Sequence, residues 1–129
     1  MGKLVHEELS HSIIGAAMAV LNELKPGLDE KLYERALLLE LIARGHTVEQ
    51  QKKFDVFYRG QLIGALVPDL IVDGLVIADP KVVASFTDSH LAQMVGYLSL
   101  TNLHLAILLN FKYSQLHWKR VVREIDPEL

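Results

Sequence analysis

The 129-residue sequence lacks cysteine altogether, which excludes the disulfide frameworks of small secreted domains and any thiolate-bound zinc. It also lacks an apolar run near the roughly 20 residues needed to cross a bilayer, and no secretory signal follows Met1. We therefore expect a soluble, cytoplasmic protein that does not bind membranes. Positive charge is not in excess either, because 13 basic residues face 16 acidic ones. This balance excludes a protein that coats nucleic acid through bulk charge, so any nucleic-acid contact must be local.

Proline and glycine are sparse, at four and eight residues, and they form no linker that would divide the chain. Half of all residues are hydrophobic, which suffices for a buried core. We expect one domain that spans residues 1–129. Apolar residues at helical spacing predict helices over residues 10–24, 29–44 and 87–101, with Ser10 or Ser12 capping the first helix.

Between and after these helices the pattern changes to that of strands. β-branched, aromatic and continuous apolar runs indicate the strands, and Arg59-Gly60 and Asp73-Gly74 are turn signals between them. The predicted strands comprise residues 47–49, 54–58, 61–67, 70–72, 75–78, 103–110 and 118–124, the last at an edge. This order predicts an α/β fold with one central mixed sheet flanked by helices.

Two carboxylates and a lysine are placed to meet at one end of the hairpin that contains the Asp73-Gly74 turn. Asp69 begins one strand and Asp79 ends its partner, and Lys81 follows Asp79 by two positions, which puts both side chains on one face of the strand. Carboxylates and water suit Mg²⁺, and a metal so held supports phosphodiester hydrolysis. The alternative is that Asp69, Asp79 and Lys81 are ordinary solvated residues near a turn.

The run Gly27-Leu28-Asp29-Glu30-Lys31-Leu32-Tyr33 resembles the signature for which the GxxExxY family of small bacterial and archaeal proteins is named. That family belongs to the PD-(D/E)XK, or restriction-endonuclease-like, nuclease superfamily, so the resemblance implies a restriction-endonuclease-like core. It covers nearly the whole chain. The other matching segments are Glu34-Arg35-Ala36-Leu37, Tyr58-Arg59-Gly60, Asp69, Asp79-Pro80-Lys81, Gln93 with Tyr97, and Leu108-Leu109-Asn110-Phe111.

The resemblance implies a metal-dependent nuclease that uses Mg²⁺ or Mn²⁺ and acts on DNA or RNA. In it, Asp69 matches the metal-binding aspartate of the superfamily, and Asp79 and Lys81 match the (D/E)-x-K element. The carbonyl of Pro80 and the carboxylate of Glu30 would complete the metal shell, and Lys81 would orient the attacking water. The implied substrate-positioning residues are Gln93 and Tyr97, which resemble the Q-x-x-x-Y element of RecB-like nucleases.

The sequence departs from this pattern at Asp79-Pro80-Lys81, where the family has glutamate and an apolar middle residue. Aspartate is shorter by one methylene, and Pro80 removes a backbone donor from an inner strand. The alternative hypothesis is therefore a catalytically inactive nuclease-fold module that binds nucleic acid or a protein partner. A third is a structural subunit that forms a homodimer through the first helix or through residues 103–109.

The C-terminal stretch carries four basic residues with no acidic residue between them, together with Tyr113 and Trp118. The four are Lys112, Lys119, Arg120 and Arg123. Such a stretch contacts a phosphate backbone, with Lys119 and Arg120 as the predicted contacts, or forms a solvated edge strand that resists pairing. The six histidines have neither the i, i+4 pair nor the paired spacing of a zinc site.

Overall fold

The computed structural model describes residues 5–123. Its helices are α1 (Glu7–Leu24), α2 (Glu30–Ala43) and α3 (Asp88–Thr101). Its strands are β1 (Val48–Gln50), β2 (Phe54–Tyr58), β3 (Gln61–Leu66), β4 (Leu70–Val72), β5 (Val76–Lys81), β6 (Leu105–Asn110) and β7 (His117–Val122). None of the helices in this part of the chain is long and apolar enough to span a membrane.

Five strands form the central sheet in the order β1-β4-β5-β6-β7. β5 and β6 are parallel, and every other neighbouring pair in this sheet is antiparallel. The connection from β5 to β6 runs through α3, as a parallel pair requires. The predicted α/β fold with a central mixed sheet is confirmed, and β7 is an edge strand as expected. Glu124, the last residue of that predicted strand, lies outside the described residues.

The sheet is covered on both faces. Along β5, Val76 and Ala78 pack into the core under α1 and α2, whereas Ile77 packs into the core under α3. The same alternation holds along β6, whose residues are all buried, which explains its continuous apolar run. Because residues 105–109 lie inside this chain's own core, the predicted dimer surface at residues 103–109 is wrong for that strand.

One expectation about the sheet is also wrong, because β2 and β3 do not join it. They form a separate two-stranded hairpin, and the chain is turned off the end of β1 at Gln51, whose φ is +57°. Both sides of β4 are already paired, with β1 and β5, so the hairpin has no place beside the strand that follows it. Its base contacts α3 through β2.

The first residues of α1 and α3 are explained by the side chains next to them. α1 begins at Glu7 rather than Ser10, with Glu7 and Glu8 in the first turn, where the helix dipole favours acids. Ser10 and Ser12 therefore lie inside α1 and are not its caps. α3 begins after Thr87, whose hydroxyl accepts from the His90 N–H while the His90 ring accepts from the Thr87 N–H.

Candidate active site

The turn between β4 and β5 sets the register of the site. Asp73 and Gly74 have φ of +53° and +69°, and the Leu75 N–H donates to the Val72 carbonyl at 3.0 Å, as in a type I′ hairpin turn. Leu75 also lies in the turn, so the loop has three residues, Val72 pairs with Val76 and Leu70 pairs with Ala78. One further step along both strands sets Asp69 opposite Asp79, on the face of the sheet that α3 covers.

Burial raises the pKa of both opposed carboxylates, and the charge of Asp79 adds to the effect on Asp69. Asp79 is buried, with 2% of its surface exposed. Desolvation, followed by the charges of Asp79 and Glu34, raises the pKa of Asp69 from 3.8 to about 7. Desolvation also raises the pKa of Asp79, and it outweighs the opposing effect of Lys81. A like-charged pair of this kind is costly without a cation beside it.

Lys81 supplies the positive charge next to this pair. Its Nζ donates to Asp79 Oδ1 at 3.0 Å, and both side chains are largely buried. Burial alone lowers the pKa of Lys81, but the charge and hydrogen bond of Asp79, with Glu30 and Asp69 behind them, raise it above its ordinary value. Lys81 is therefore a protonated donor at neutral pH and not a proton acceptor.

Pro80 fits its inner strand because the β4–β5 ladder stops at this point. The register that pairs Leu70 with Ala78 would next set Pro68 opposite Pro80 in a hydrogen-bonded position, and neither residue has an N–H to donate. On the other side β5 and β6 continue, and the Phe111 N–H donates to the Lys81 carbonyl at 2.9 Å. Since carbonyls alternate along a strand, the Pro80 carbonyl faces the gap where β4 has ended.

α2 places a second, buried glutamate at the site, Glu34, whose role the sequence motifs did not indicate. Glu34 is 3% exposed, whereas Glu30 is exposed. Its charge raises the pKa of Asp69 more than that of Glu30 does. The i, i+4 spacing of the two glutamates was the available signal, because it puts both on one face of the helix.

Two glutamines connect Glu34 to the strand ends. Glu34 Oε2 accepts from Gln50 Nε2 at 2.9 Å, from Gln51 Nε2 at 3.4 Å and from Lys31 Nζ at 3.2 Å. Gln51 also donates its backbone N–H to the Asp69 carbonyl at 3.0 Å. The positive φ of Gln51 thus turns the chain so that one residue links Glu34 to Asp69.

Tyr33 and Asn110 hold the segments on either side of the site. The Tyr33 hydroxyl donates to the Lys25 carbonyl and accepts from the Leu28 N–H, and its ring stacks on Phe111 at 4.8 Å between centroids. These contacts fix the loop before α2. The side chain of Asn110 bonds both the N–H and the carbonyl of Val83, at 3.2 and 2.8 Å, which fixes the segment after Lys81.

Gln93 and Tyr97 lie on α3, on the carboxylate face of the sheet. Gln93 Nε2 donates to the Tyr97 hydroxyl at 3.1 Å. Desolvation, and then the charges of Asp79 and Asp69, raise the pKa of Tyr97, so its hydroxyl lies within electrostatic reach of both carboxylates. The structure thus brings together the Asp69, Asp79, Lys81 and Tyr97 side chains.

The two predicted C-terminal contacts point to opposite faces of β7. Lys119 pairs with Leu108, which in turn pairs with Asp79, so Lys119 shares the carboxylate face two strands away and is exposed. Arg120 points to the α1 face, where it donates to Ser10 Oγ at 3.2 Å and to the Val5 carbonyl. Arg120 fastens the start of α1 to the edge strand and does not reach the carboxylates.

Comparison with known families identifies the superfamily of the chain. The family model of the PD-(D/E)XK nuclease superfamily matches residues 7–121, most of the chain. The chain belongs to the PD-(D/E)XK nuclease superfamily. Members of this superfamily generally use divalent metal ions. No match is found among curated proteins.

Solved structures similar to this chain share its fold. Two of them are the alkaline exonuclease LHK-Exo from Laribacter hongkongensis and its complex with dAMP, each with a TM-score of 0.50 and 12% identity. The alignments cover 93% and 89% of this chain and 83% of that enzyme in both cases. At this identity the likeness shows the fold.

The donor set of this superfamily member fits a hard divalent cation. Among residues 5–123 there is no cluster of three His, Cys, Asp or Glu side chains arranged to hold a metal, so a cage made only of side chains is excluded there. Mg²⁺ needs fewer protein ligands than such a cage supplies, because it binds one or two carboxylates and keeps several waters. Asp69, Asp79 and the Pro80 carbonyl supply oxygen donors, and a cation would relieve the repulsion between the carboxylates.

Proposed function

We propose that this protein is a divalent-metal-dependent nuclease that hydrolyses phosphodiester bonds in DNA. The observation that carries the proposal is the meeting of Asp69, Asp79 and Lys81 at the end of β5, where the β4–β5 ladder ends. Membership of the PD-(D/E)XK superfamily supports it. The GxxExxY subfamily, a cytoplasmic location and RNA as a second substrate belong to the same proposal.

The residues have separable roles in this reaction. Asp69, Asp79 and the Pro80 carbonyl would hold Mg²⁺ or Mn²⁺, which supplies an acidified water and stabilises charge on a phosphoryl oxygen. Lys81 is protonated, so it acts as a hydrogen-bond donor that orients the attacking water or binds a phosphate oxygen. Glu34 and Glu30 keep the α2 side of the site negative.

Gln93, Tyr97 and Lys119 would bind the substrate. Gln93 and Tyr97 share a hydrogen bond on α3, which preorganises two polar groups beside the carboxylates. Lys119 adds an exposed cation on the same face of the sheet, where it can neutralise a phosphate. Arg120 is left out of this set because its guanidinium is bound to α1.

A cleavage assay tests the proposal. Purified protein is incubated with plasmid, linear duplex and single-stranded DNA, and with RNA, in Mg²⁺, Mn²⁺ or EDTA. We expect metal-dependent cleavage of DNA that Asp69→Ala abolishes and that Lys81→Ala lowers by about 10²–10³-fold, the usual effect of losing one transition-state donor. Arg44→Ala, which removes an exposed basic side chain at the C-terminal end of α2, is the control and should retain full activity.

A catalytically inactive nuclease-fold module is the second candidate, and the ion pair between Lys81 and Asp79 favours it. An ammonium 3.0 Å from Asp79 Oδ1 partly replaces the charge that a metal would bring. In that case no substrate is cut, and Mn²⁺ binding measured by calorimetry shows no dependence on Asp69. Metal-dependent cleavage that Asp69→Ala abolishes would exclude this candidate.

A further inference from the structure

The β2–β3 hairpin exposes an unusual amount of apolar surface. Phe57, Tyr58, Leu62 and Ile63 are 61%, 60%, 60% and 65% exposed. They occupy the turn end of the hairpin, residues 57–63, which we call the hairpin tip. Isolated two-stranded hairpins have no core of their own, and a contiguous apolar surface of this kind usually marks a binding surface.

The hairpin tip is apolar on both of its faces. Phe54 and Val56 are half-buried against the body of the protein, and Tyr58 continues on their side of β2. Phe57 points to the other side, where it pairs with Leu62. The register shift after Val56 leaves Ile63 without a partner residue, so this side chain is also displayed. A strand pair that served only as a cover would be apolar on one side.

The base of the hairpin lies beside the carboxylates. Phe54 packs into the same core as Tyr97, whose hydroxyl is within electrostatic reach of Asp69 and Asp79. Its partner Leu66 precedes Asp69 by three residues, at most about 10 Å of extended chain. Gln61, which pairs with Tyr58, precedes Asp69 by eight residues, at most about 27 Å of extended chain, a distance that about eight nucleotides span at about 3.4 Å each.

The charge along the hairpin suits a nucleic acid with exposed bases. Arg59 is the cation of the tip, and Asp55 is the one carboxylate of residues 52–62. Lys52 and Lys53 precede β2 at the base of the hairpin, where Lys52 is paired with Glu49 at 3.0 Å. The Arg59 guanidinium lies over one face of the Tyr58 ring, 5.4 Å from its centroid. The other face of the ring can therefore stack on a base next to a cation. Aromatic side chains beside cations bind single-stranded nucleic acids through base stacking and phosphate contacts.

We propose that the hairpin tip binds the unpaired bases of a single-stranded nucleic acid, with a base stacked on Tyr58, and thereby makes single strands or frayed ends the preferred substrate. This inference rests on the proposed nuclease function, which is the reason that a nucleic acid is taken as the ligand. A base inside a duplex already has both faces stacked, so only an unpaired base gains by contact with the tip.

Binding without cleavage tests the inference separately from catalysis. A labelled oligothymidine of about twelve nucleotides, longer than the span to the tip, is titrated with protein in EDTA and again with Ca²⁺, and anisotropy gives the Kd. We expect Tyr58→Ala to weaken binding by about 5- to 100-fold, the range measured when a base-stacking aromatic is truncated. Tyr58→Phe should retain binding, and Tyr58→Leu should not, because leucine keeps an apolar side chain but has no ring.

The matched control is Leu39→Ala, which removes a side chain 68% exposed on α2 and should leave the Kd unchanged. Three results would overturn the inference. They are equal Kd values for wild type and Tyr58→Ala, equal affinity for the same sequence as a duplex, and a concentration-dependent dimer that Tyr58→Ala and Leu62→Ala dissociate. Tyr58-dependent binding without cleavage in Mg²⁺ would refute the nuclease function but support the single-strand site. Cleavage in Mg²⁺ without Tyr58-dependent binding would support the nuclease function but refute the single-strand site.

Discussion

At the scale of single residues, the two glutamates of α2 differ in how they contact the site. Glu34 is buried and accepts hydrogen bonds from Lys31, Gln50 and Gln51, whereas Glu30 is exposed. A carboxylate held in this way acts on the active site through fixed partners. Groups that orient metal-binding side chains typically contribute 10- to 100-fold to affinity or activity.

We therefore expect Glu34→Gln to lower Mg²⁺-dependent cleavage by about 10- to 100-fold, and Glu30→Gln to lower it less. Glutamine keeps the size of the side chain but removes the charge, so the folded structure should persist. Cleavage rates of both variants, with circular dichroism to check folding, measure the difference. A larger loss for Glu30→Gln would show that the exposed glutamate is the important one.

The raised pKa of Asp69 predicts how stability depends on pH without metal. The folded pKa is about 7 and the ordinary value is 3.8, so between these pH values the folded protein holds a proton that the unfolded chain releases. Stability from this group is therefore full below about pH 4 and is lost progressively as the pH rises from there through 7. After a discount for partial exposure of Asp69, the loss is about 1–2 kcal/mol.

Thermal unfolding in EDTA between pH 5 and pH 9 measures this effect. Asp69→Asn removes the titrating group and its repulsion from the charge of Asp79, so it should raise the Tm at pH 8 and flatten the profile between pH 5 and pH 7. Asp55→Asn, which changes an exposed aspartate, is the matched control and should leave the profile as in the wild type. An unchanged profile in Asp69→Asn would show that another group causes the dependence.

At the scale of elements, a chain of hydrogen bonds clamps the end of the sheet opposite the site. Ser12 Oγ lies 2.7 Å from His46 Nε2, and His46 Nδ1 lies 2.8 Å from Asp73 Oδ2. The Thr47 N–H donates to Asp73 Oδ1 at 2.9 Å. This connectivity resembles a Ser-His-Asp triad. However, Ser12 lies past the first turn of α1, where backbone N–H groups bond within the helix and cannot hold an oxyanion.

The clamp joins α1, the segment before β1 and the β4–β5 turn, so its loss should loosen all three. We expect His46→Ala to lower the free energy of unfolding by about 1–3 kcal/mol, since two hydrogen bonds are lost and Ser12 and Asp73 lose a partner. Chemical denaturation measures the change. His104→Ala is the matched control, and an equal loss there would contradict a specific role for the clamp.

The sequence predicts the elements that depend on local contacts better than those that depend on contacts between distant residues. Helix spacing and the Asp73-Gly74 turn are local, and they predicted α2, α3 and the placement of Asp69 and Asp79 at one end of the hairpin. Their direct opposition was not predicted, because it requires Leu75 to join the turn. The departure of β2 and β3 from the sheet was not predictable, because it depends on β4 being paired on both sides. The contact of Arg120 with Ser10, 110 positions apart, and the burial of Glu34 likewise require the packed fold.

At the scale of the whole molecule, metal binding and folding should be linked through the carboxylate pair. Without a metal the fold holds Asp69 and Asp79 opposite each other and partly removed from water, and this desolvation is the main cause of their raised pKa values. A ligand that binds only the folded state stabilises it by RT ln(1 + [L]/Kd), about 2.7 kcal/mol at a hundredfold excess over Kd. Because the cation replaces a proton on the pair, its effect should grow with pH.

We therefore expect Mn²⁺ or Mg²⁺ to raise the Tm in proportion to the logarithm of its concentration, and to do so more at pH 8 than at pH 6. The slope should vanish in Asp79→Asn and in Asp69→Asn, although the latter raises the Tm in EDTA. Differential scanning calorimetry at both pH values measures these shifts, with Asp55→Asn again as the control. A Tm at pH 8 that does not respond to millimolar Mn²⁺ would contradict metal binding, because a cation that binds only the folded state must raise the Tm.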